Sequence, residues 1–305
     1  MTASSDIRSG ERSERLARVA TEDGLFTVLA IDHVGSFAQT VRPDQPDAMT
    51  AADISAAKEP IIAALGPISG AVLIDPGYLV AIESTGPGRP EGLGLILGIE
   101  DGDYSDVRTA PRLLPGWSAE RAAEMGADAV KISVYYDPDG DMSAAERFVT
   151  DVVGQCRAAG LPLFCEPLAL YEDPGDRTRA VLEGVRRFGP LGAEVLKLQF
   201  PVMPEAGHDA PEEWAEACAE VDRLSPVPWV ILSEGSDFGL FRDQVRVACA
   251  AGASGFLGGR AIWRELATGE RDAQHAAGRM TELCAVARAE GTAWTTSLAR
   301  RSTTR

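Results

Sequence analysis

Runs of consecutive apolar residues recur along the chain, each short and each followed by a segment of helical periodicity. Eight such runs stand out: FTVLAID (26–32), GAVLID (70–75), GLGLILG (92–98), AVKISVYY (129–136), LPLFCEP (161–167), EVLKLQF (194–200), PWVILS (228–233) and GFLGGR (255–260). Their apolar residues are continuous rather than alternating, which marks strands buried on both faces, as in a parallel sheet covered by helices. Amphipathic segments separate them, clearest at 143–160, 177–189, 210–224 and 241–253, and several end in glycine just before the next strand. Eight strands alternating with helices, with no break in composition, predict an α/β fold with a single (β/α)8 TIM barrel over 21–290. Residues 1–20 read as an N-terminal arm or helix and 291–305 as a flexible tail. A doubly wound open sheet is the competing topology, and the lack of a GxGxxG turn after the first strand counts against a dinucleotide-binding version of it.

The polar residues inside these apolar runs carry the chemistry. Side chains alternate along a strand between the barrel interior and the helix layer. In the fourth strand Val130, Ile132 and Val134 take the helix side, so Lys131, Ser133 and Tyr135 point inward. In the sixth, Leu196, Leu198 and Phe200 face out, leaving Val195, Lys197 and Gln199 inside. Glu166 points inward near the end of the fifth strand and Asp32 closes the first. Strands four to six are neighbours in a sequential barrel, so Lys131, Glu166 and Lys197 converge near the C-terminal mouth, where barrel active sites form. The chain holds three lysines, Lys58, Lys131 and Lys197, among 29 basic residues, and keeps two of them in these strands. Arginine cannot do the work of a neutral amine, because its guanidinium does not deprotonate. An uncharged lysine attacks a carbonyl to form a Schiff base, and burial beside a second ammonium favours the uncharged form. Glu166 is placed to move protons and Asp32 to hold a hydroxyl or orient an ammonium. The plain alternative is a structural Lys–Glu–Lys network; two lysines and two acids aimed at one mouth favour chemistry.

A second signal lies after the seventh and eighth strands. LSEGSDFG and GFLGGRAIW place Ser233, Gly235, Gly259 and Arg260 where barrels commonly hold phosphate, with exposed backbone N–H groups and a guanidinium as the clamp. Any one glycine there is explained equally well as a turn residue. The formal charge of −17 argues against nucleic acid and anionic membrane as partners, though a positive pocket still accommodates a phosphorylated substrate. No apolar stretch reaches membrane-spanning length, the leading residues lack a hydrophobic signal core, and the expected location is cytoplasmic. Five scattered cysteines read as reduced packing residues, and three dispersed histidines provide no zinc spacing. No metal and no cofactor is expected; assembly into a homo-oligomer is left open.

The pieces LAIDHVGS (29–36), VKISVYYDPDG (130–140), LFCEPLAL (163–170), EVLKLQFPV (194–202), WVILSEG (229–235) and GFLGGRAIWRE (255–265) together resemble the class I tagatose-bisphosphate aldolase family, with the related sulfofructose-phosphate aldolases. The resemblance implies a lyase of carbohydrate metabolism, a (β/α)8 barrel that reversibly cleaves a ketose phosphate to a three-carbon ketone phosphate and an aldehyde without metal. It puts the Schiff-base lysine on Lys197, the acid/base glutamate on Glu166, the auxiliary lysine on Lys131 and the first-strand aspartate on Asp32. It puts the phosphate loops on Ser233, Gly235, Gly259 and Arg260. Members commonly read Asp-Gln-Arg after the first strand, where this chain has Asp32-His33-Val34, and carry Glu where Gln199 stands. The sugar and the number of its phosphates are therefore open. His33 is either a replacement group for contacting substrate or an incidental polar residue at the rim. Two other functions compete: a phosphosugar isomerase or epimerase with Glu166 as base, and a non-catalytic sugar-phosphate sensor.

Overall fold

In the computed structural model, which describes residues 2–85, 92–102, 110–202 and 211–303, each of the eight apolar runs coincides with one strand, the fifth continuing two residues past its run. They are β1 (Phe26–Ala30), β2 (Ala71–Ile74), β3 (Gly94–Gly98), β4 (Ala129–Tyr136), β5 (Leu163–Ala169), β6 (Val195–Leu198), β7 (Trp229–Leu232) and β8 (Gly255–Gly258). All pair in parallel and in chain order, and β1 closes on β8 with Phe26 opposite Gly255 and Val28 opposite Leu257. The chain folds as a (β/α)8 TIM barrel, and the doubly wound sheet is excluded by that closure.

The expected parity holds. Val130, Ile132, Val134, Leu196, Leu198 and Phe200 belong to the large apolar layer between strands and helices. A separate inner cluster, including Phe26, Val28, Leu73, Ile96, Phe164, Val195, Val230 and Leu257, fills the lower barrel. That plug is packed solid, as an eight-stranded barrel of this width demands. Leu16, Val19 and Trp294 extend the inner cluster and seal the N-terminal end. Among the described residues the inward positions are thus filled from below, and the space left for a ligand lies upward, past the ends of the strands.

Both termini take part in that seal. The arm forms a helix over Thr2–Arg18 and crosses the barrel floor, with Arg12 bonding Glu194 at 2.9 Å and Arg15 the carbonyl of Ala127 at 2.8 Å. The segment 291–305, expected as a flexible tail, instead carries a helix over Trp294–Thr303. Trp294 and Ser297 fall on its buried side, and Arg301 reaches the carbonyl of Asp222 at 2.6 Å. The physical reason is spacing: residues 294, 297 and 301 lie three to four apart, one helical face anchored by an indole and a guanidinium. Among the described residues no helix is long and apolar enough to cross a membrane.

Candidate active site

Above the apolar plug, the next inward layer is charged. Lys131 on β4 lies one register step below Ser133, which is paired with Glu166 on β5; Lys197 stands on the adjacent β6. The three side chains meet. Glu166 places Oε1 2.8 Å from Lys197 Nζ and Oε2 2.9 Å from Lys131 Nζ, and accepts a hydrogen bond from Ser133 Oγ at 2.7 Å. Lys131 Nζ also reaches Asp32 Oδ2 at 2.9 Å and Glu100 Oε1 at 2.5 Å. Lys131, Lys197 and Glu166 are each no more than 2 % exposed. Charges this deep persist only when paired, and the arrangement supplies the pairing.

The electrostatics follow from the geometry. Burial by itself would push both acids upward, but the neighbouring ammonium groups outweigh it. Glu166 is held down at about 2, with Lys131 and Lys197 opposing its desolvation. Asp32 is likewise held well below the usual carboxylate range, Lys131 being the main counterweight to burial, helped by His33 and Lys197. Both acids are therefore anionic at neutral pH. Tyr135, pointing in from the same strand as Lys131, has its phenol raised, first by burial and then by the Glu166 charge.

The opposite side of the mouth has a different character. Ser233 follows β7 and its hydroxyl accepts a hydrogen bond from the Gly259 N–H at 3.2 Å, tying the loops after β7 and β8 together. Gly235 has φ +76°, which strains any other residue type, and lies so close to the Arg260 guanidinium that a Cβ would stand 3.0 Å from Nη2. Arg260 opens the helix Arg260–Ala267, and no carboxylate among the described residues pairs with it. Trp263 in that helix donates to the Ala30 carbonyl at 3.0 Å, fixing the helix start over the β1–β8 seam.

A cavity of about 180 Å³ joins the two sides. Eight of the ten residues singled out from the sequence line it: His33, Glu166, Lys197, Gln199, Ser233, Gly235, Gly259 and Arg260. The other two, Lys131 and Asp32, stand behind Glu166 and bond to each other. His33 is at the rim, its Nδ1 3.3 Å from Asp32 Oδ1. Gln199 is turned sideways, accepting from the Ala169 N–H at 2.8 Å and donating to Glu234 at 2.6 Å, so its amide is engaged within the protein.

Three features escaped the sequence reading. Glu100 completes the cage around Lys131 from beyond β3, and extending the strand's alternation by two residues (94, 96, 98, 100) would have pointed to it; Gly98, with no side chain, leaves Asp32 its space. Lys58, the third lysine, is wholly buried on the helix Ala51–Leu65 and pairs with Asp75 at the end of β2. Its spacing from Ile54, Ile61, Ile62 and Leu65 puts it on the helix's apolar face, a signal available from sequence. Glu234 holds φ +50°, a left-handed conformation, and is clasped by the buried Arg177 and by Gln199. Nothing in the local sequence marks that pairing, which spans 57 residues. Among the described residues no group of His, Cys, Asp or Glu is arranged to hold a metal ion.

The sequence profile of the DeoC/LacD family of aldolases matches residues 28–265, which takes in the strands and both halves of the cavity. The chain belongs to the DeoC/LacD aldolase family. It is 31% identical over 267 residues to tagatose 1,6-diphosphate aldolase 2 of Streptococcus pyogenes serotype M1, covering 79% of this chain and 81% of that protein. Tagatose 1,6-diphosphate aldolase 1 of Streptococcus mutans serotype c is 30% identical over 280 residues, covering 83% and 85%. Among solved structures, a Schiff base forming fructose-1,6-bisphosphate aldolase superposes with a TM-score of 0.64 at 20% identity, over 90% of this chain and 99% of that one. That last likeness is one of fold, and it places this DeoC/LacD member's barrel alongside other aldolase barrels. The family resemblance drawn from the motifs is thus borne out.

Proposed function

We propose that this DeoC/LacD aldolase cleaves a ketose phosphate through a Schiff base on Lys197. The observation that carries the reading is a buried lysine 2.8 Å from an anionic carboxylate, in a cavity shared with an arginine that has no carboxylate partner among the described residues. The phosphate end of the ketose sits against Ser233, Gly235, Gly259 and Arg260, which brings the ketone carbon to Lys197. The Lys197 amine, its proton passed to Glu166, adds to that carbon. Loss of the former ketone oxygen as water gives an iminium, with Glu166 returning the proton. A base then takes the proton of the C4 hydroxyl, the C3–C4 bond breaks, and its electron pair flows into the iminium to give an enamine. The aldehyde leaves, C3 is protonated, and hydrolysis frees the three-carbon ketone phosphate.

Glu166 changes strength along this path. Two ammonium groups hold it at about 2 in the resting site. Once Lys197 becomes a neutral carbinolamine one of those charges is gone, so the carboxyl holds its proton more readily until it delivers it to the departing water; the iminium then restores the positive charge beside an anionic Glu166. Lys131 keeps its charge throughout, clasped by acids on three sides.

Borohydride reduction in the presence of dihydroxyacetone phosphate tests the assignment. Mass spectrometry should find the three-carbon adduct on Lys197; an adduct on Lys131, or on no lysine, would overturn it. Because the iminium is the electron sink, EDTA is expected to leave the cleavage rate unchanged, and a rate abolished by EDTA and restored by a divalent ion would point to different chemistry.

A further inference from the structure

Next to the catalytic cavity lies a second one of about 390 Å³, over the ends of β1, β2 and β3, and the two share His33 and Ser36 as a common wall. Its character is unlike that of the first. Val34, Ile54, Tyr78 and Leu114 supply apolar surface, with Ala51 and Pro76 between them. The charged residues along it are Asp32, Asp75, Glu100 and Asp101, and no lysine or arginine lines it among the described residues. The cations that reach its carboxylates are each paired: Lys58 to Asp75, Lys131 to Asp32 and Glu100, and Arg112 to Asp101.

We infer that this second lobe receives the aldehyde half of the substrate, and that this half is an uncharged group with an apolar body rather than a second phosphate or a sulfonate. The inference rests on the Schiff-base reading and adds the substrate class. With the ketone carbon at Lys197 and its phosphate at Arg260, the rest of the ketose has to extend away from β7 and β8. Among the described residues two lined continuations leave the cavity: one past Gln199 and Glu234 into a space over β4–β6 whose guanidinium, Arg179, is held by Asp139 and Asp176, and one past His33 and Ser36 into this lobe. Gln199 and Glu234 bond to each other at 2.6 Å across the first, which leaves the second for the rest of the ketose. An oxyanion there would meet carboxylates and hydrocarbon where it needs N–H donors, a desolvation without compensation. Discrimination of this kind arises from what the site withholds as much as from what it offers. An apolar chain, by contrast, covers Ile54, Tyr78 and Leu114 and loses nothing polar. His33 and Ser36, at the junction, are left to meet the hydroxyls nearest the scissile bond.

The test is aldol synthesis, run with dihydroxyacetone phosphate as donor and with glyceraldehyde 3-phosphate, glyceraldehyde and butanal as acceptors. We expect kcat/KM for butanal to exceed that for glyceraldehyde 3-phosphate by at least tenfold, with glyceraldehyde between them. Equal or faster turnover of glyceraldehyde 3-phosphate, with the ketone phosphate still trapped on Lys197, would overturn this inference alone. Failure to trap any adduct on Lys197 would overturn the mechanism and this inference with it. Val34 is exposed on the wall of the lobe, and Val34→Arg places a guanidinium there with little risk to folding. In that variant the preference for butanal over glyceraldehyde 3-phosphate should shrink by tenfold or more. An unchanged ratio would show that the aldehyde does not occupy this lobe.

Discussion

Lys131 and Lys197 lie two strands apart in the same barrel layer, equally buried, and their surroundings are opposite. Lys131 is gripped by Asp32, Glu100 and Glu166, which fix it from β1, β3 and β5. Lys197 pairs with Glu166 alone among the described carboxylates, and it lines the cavity. Three acids around one amine stabilise the ammonium and leave no room for a substrate. One acid beside an amine that faces open space supplies a proton acceptor and an approach path. Burial is thus common to both lysines, and the number of carboxylates around each separates an electrostatic post from the proposed nucleophile. The same division runs across the whole mouth. The β1–β3 side is saturated with acid–lysine pairs, including Lys58–Asp75, whereas the β7–β8 side holds Arg260 ready for an anion.

The comparison is broken most directly by exchanging the amines. Lys197→Arg keeps a cation beside Glu166 but cannot form an iminium. Its kcat should fall by roughly 10⁴-fold or more, with no borohydride adduct, while the urea midpoint shifts little. Lys131→Met should do the reverse in emphasis. It strands three buried carboxylates, and removing one partner of a buried ion pair costs about 3–5 kcal/mol. A larger loss of stability in Lys197→Met than in Lys131→Met would show that the assigned division of roles is wrong. Glu166→Gln is intermediate: removing the proton carrier should lower kcat about 10²–10⁴-fold.

Much of this was legible in the chain. The eight apolar runs located all eight strands because parallel barrel strands are buried on both faces, and strand parity then aimed Lys131, Glu166 and Lys197 inward. Residues that reach the site from beyond a strand's end were harder to see. Glu100 follows β3 by two residues, and the Arg177–Glu234 pair joins a helix to a loop that are neighbours only after the barrel closes. The helix Trp294–Thr303 was missed because its polar sequence gives a weak apolar stripe, yet the stripe needs only Trp294 to dock on the barrel floor. Contacts between distant segments depend on closure, and closure is a property of all eight strands together.

Acid should expose the electrostatic post. The carboxyl of Glu166 is ordinarily near 4.5 and is held at about 2 in the folded protein. A group lowered on folding stabilises the native state above its ordinary value, and that contribution fades as pH falls toward the folded one. The window is therefore about pH 4.5 to 2, and Glu166 alone contributes on the order of 3 kcal/mol across it. Asp32, lowered in the same way and mainly by Lys131 against burial, adds to the slope. In Lys131→Met the deficit relative to the parent protein should be greatest at pH 7 and narrow below about pH 4, as the stranded acids protonate. Urea midpoints for both proteins at pH 7, 5 and 3 measure this; a constant deficit would mean that Lys131 does not hold these acids down.

The finest distinction concerns the β7–β8 side, where the backbone itself is constrained. Glu234 adopts φ +50° directly between Ser233 and Gly235, and is the only non-glycine with positive φ among the described residues. Such a conformation costs a non-glycine residue about 1 kcal/mol or more, so something has to hold it. Arg177 and Gln199 do so by binding its carboxylate, and Arg177 is itself anchored to the Phe200 carbonyl at 2.7 Å. Glu234→Ala removes the grip and keeps the strain, whereas Glu234→Gly removes both. The glycine variant should therefore be the more stable of the two, by about 1 kcal/mol. In both variants the loop bearing Ser233 and Gly235 loses its anchor, so KM for the ketose phosphate should rise several-fold while kcat, assigned under the proposed mechanism to Lys197 and Glu166, changes little. If KM stays constant in both, the carboxylate grip serves the fold alone, and the openness of the β7–β8 side owes nothing to Glu234.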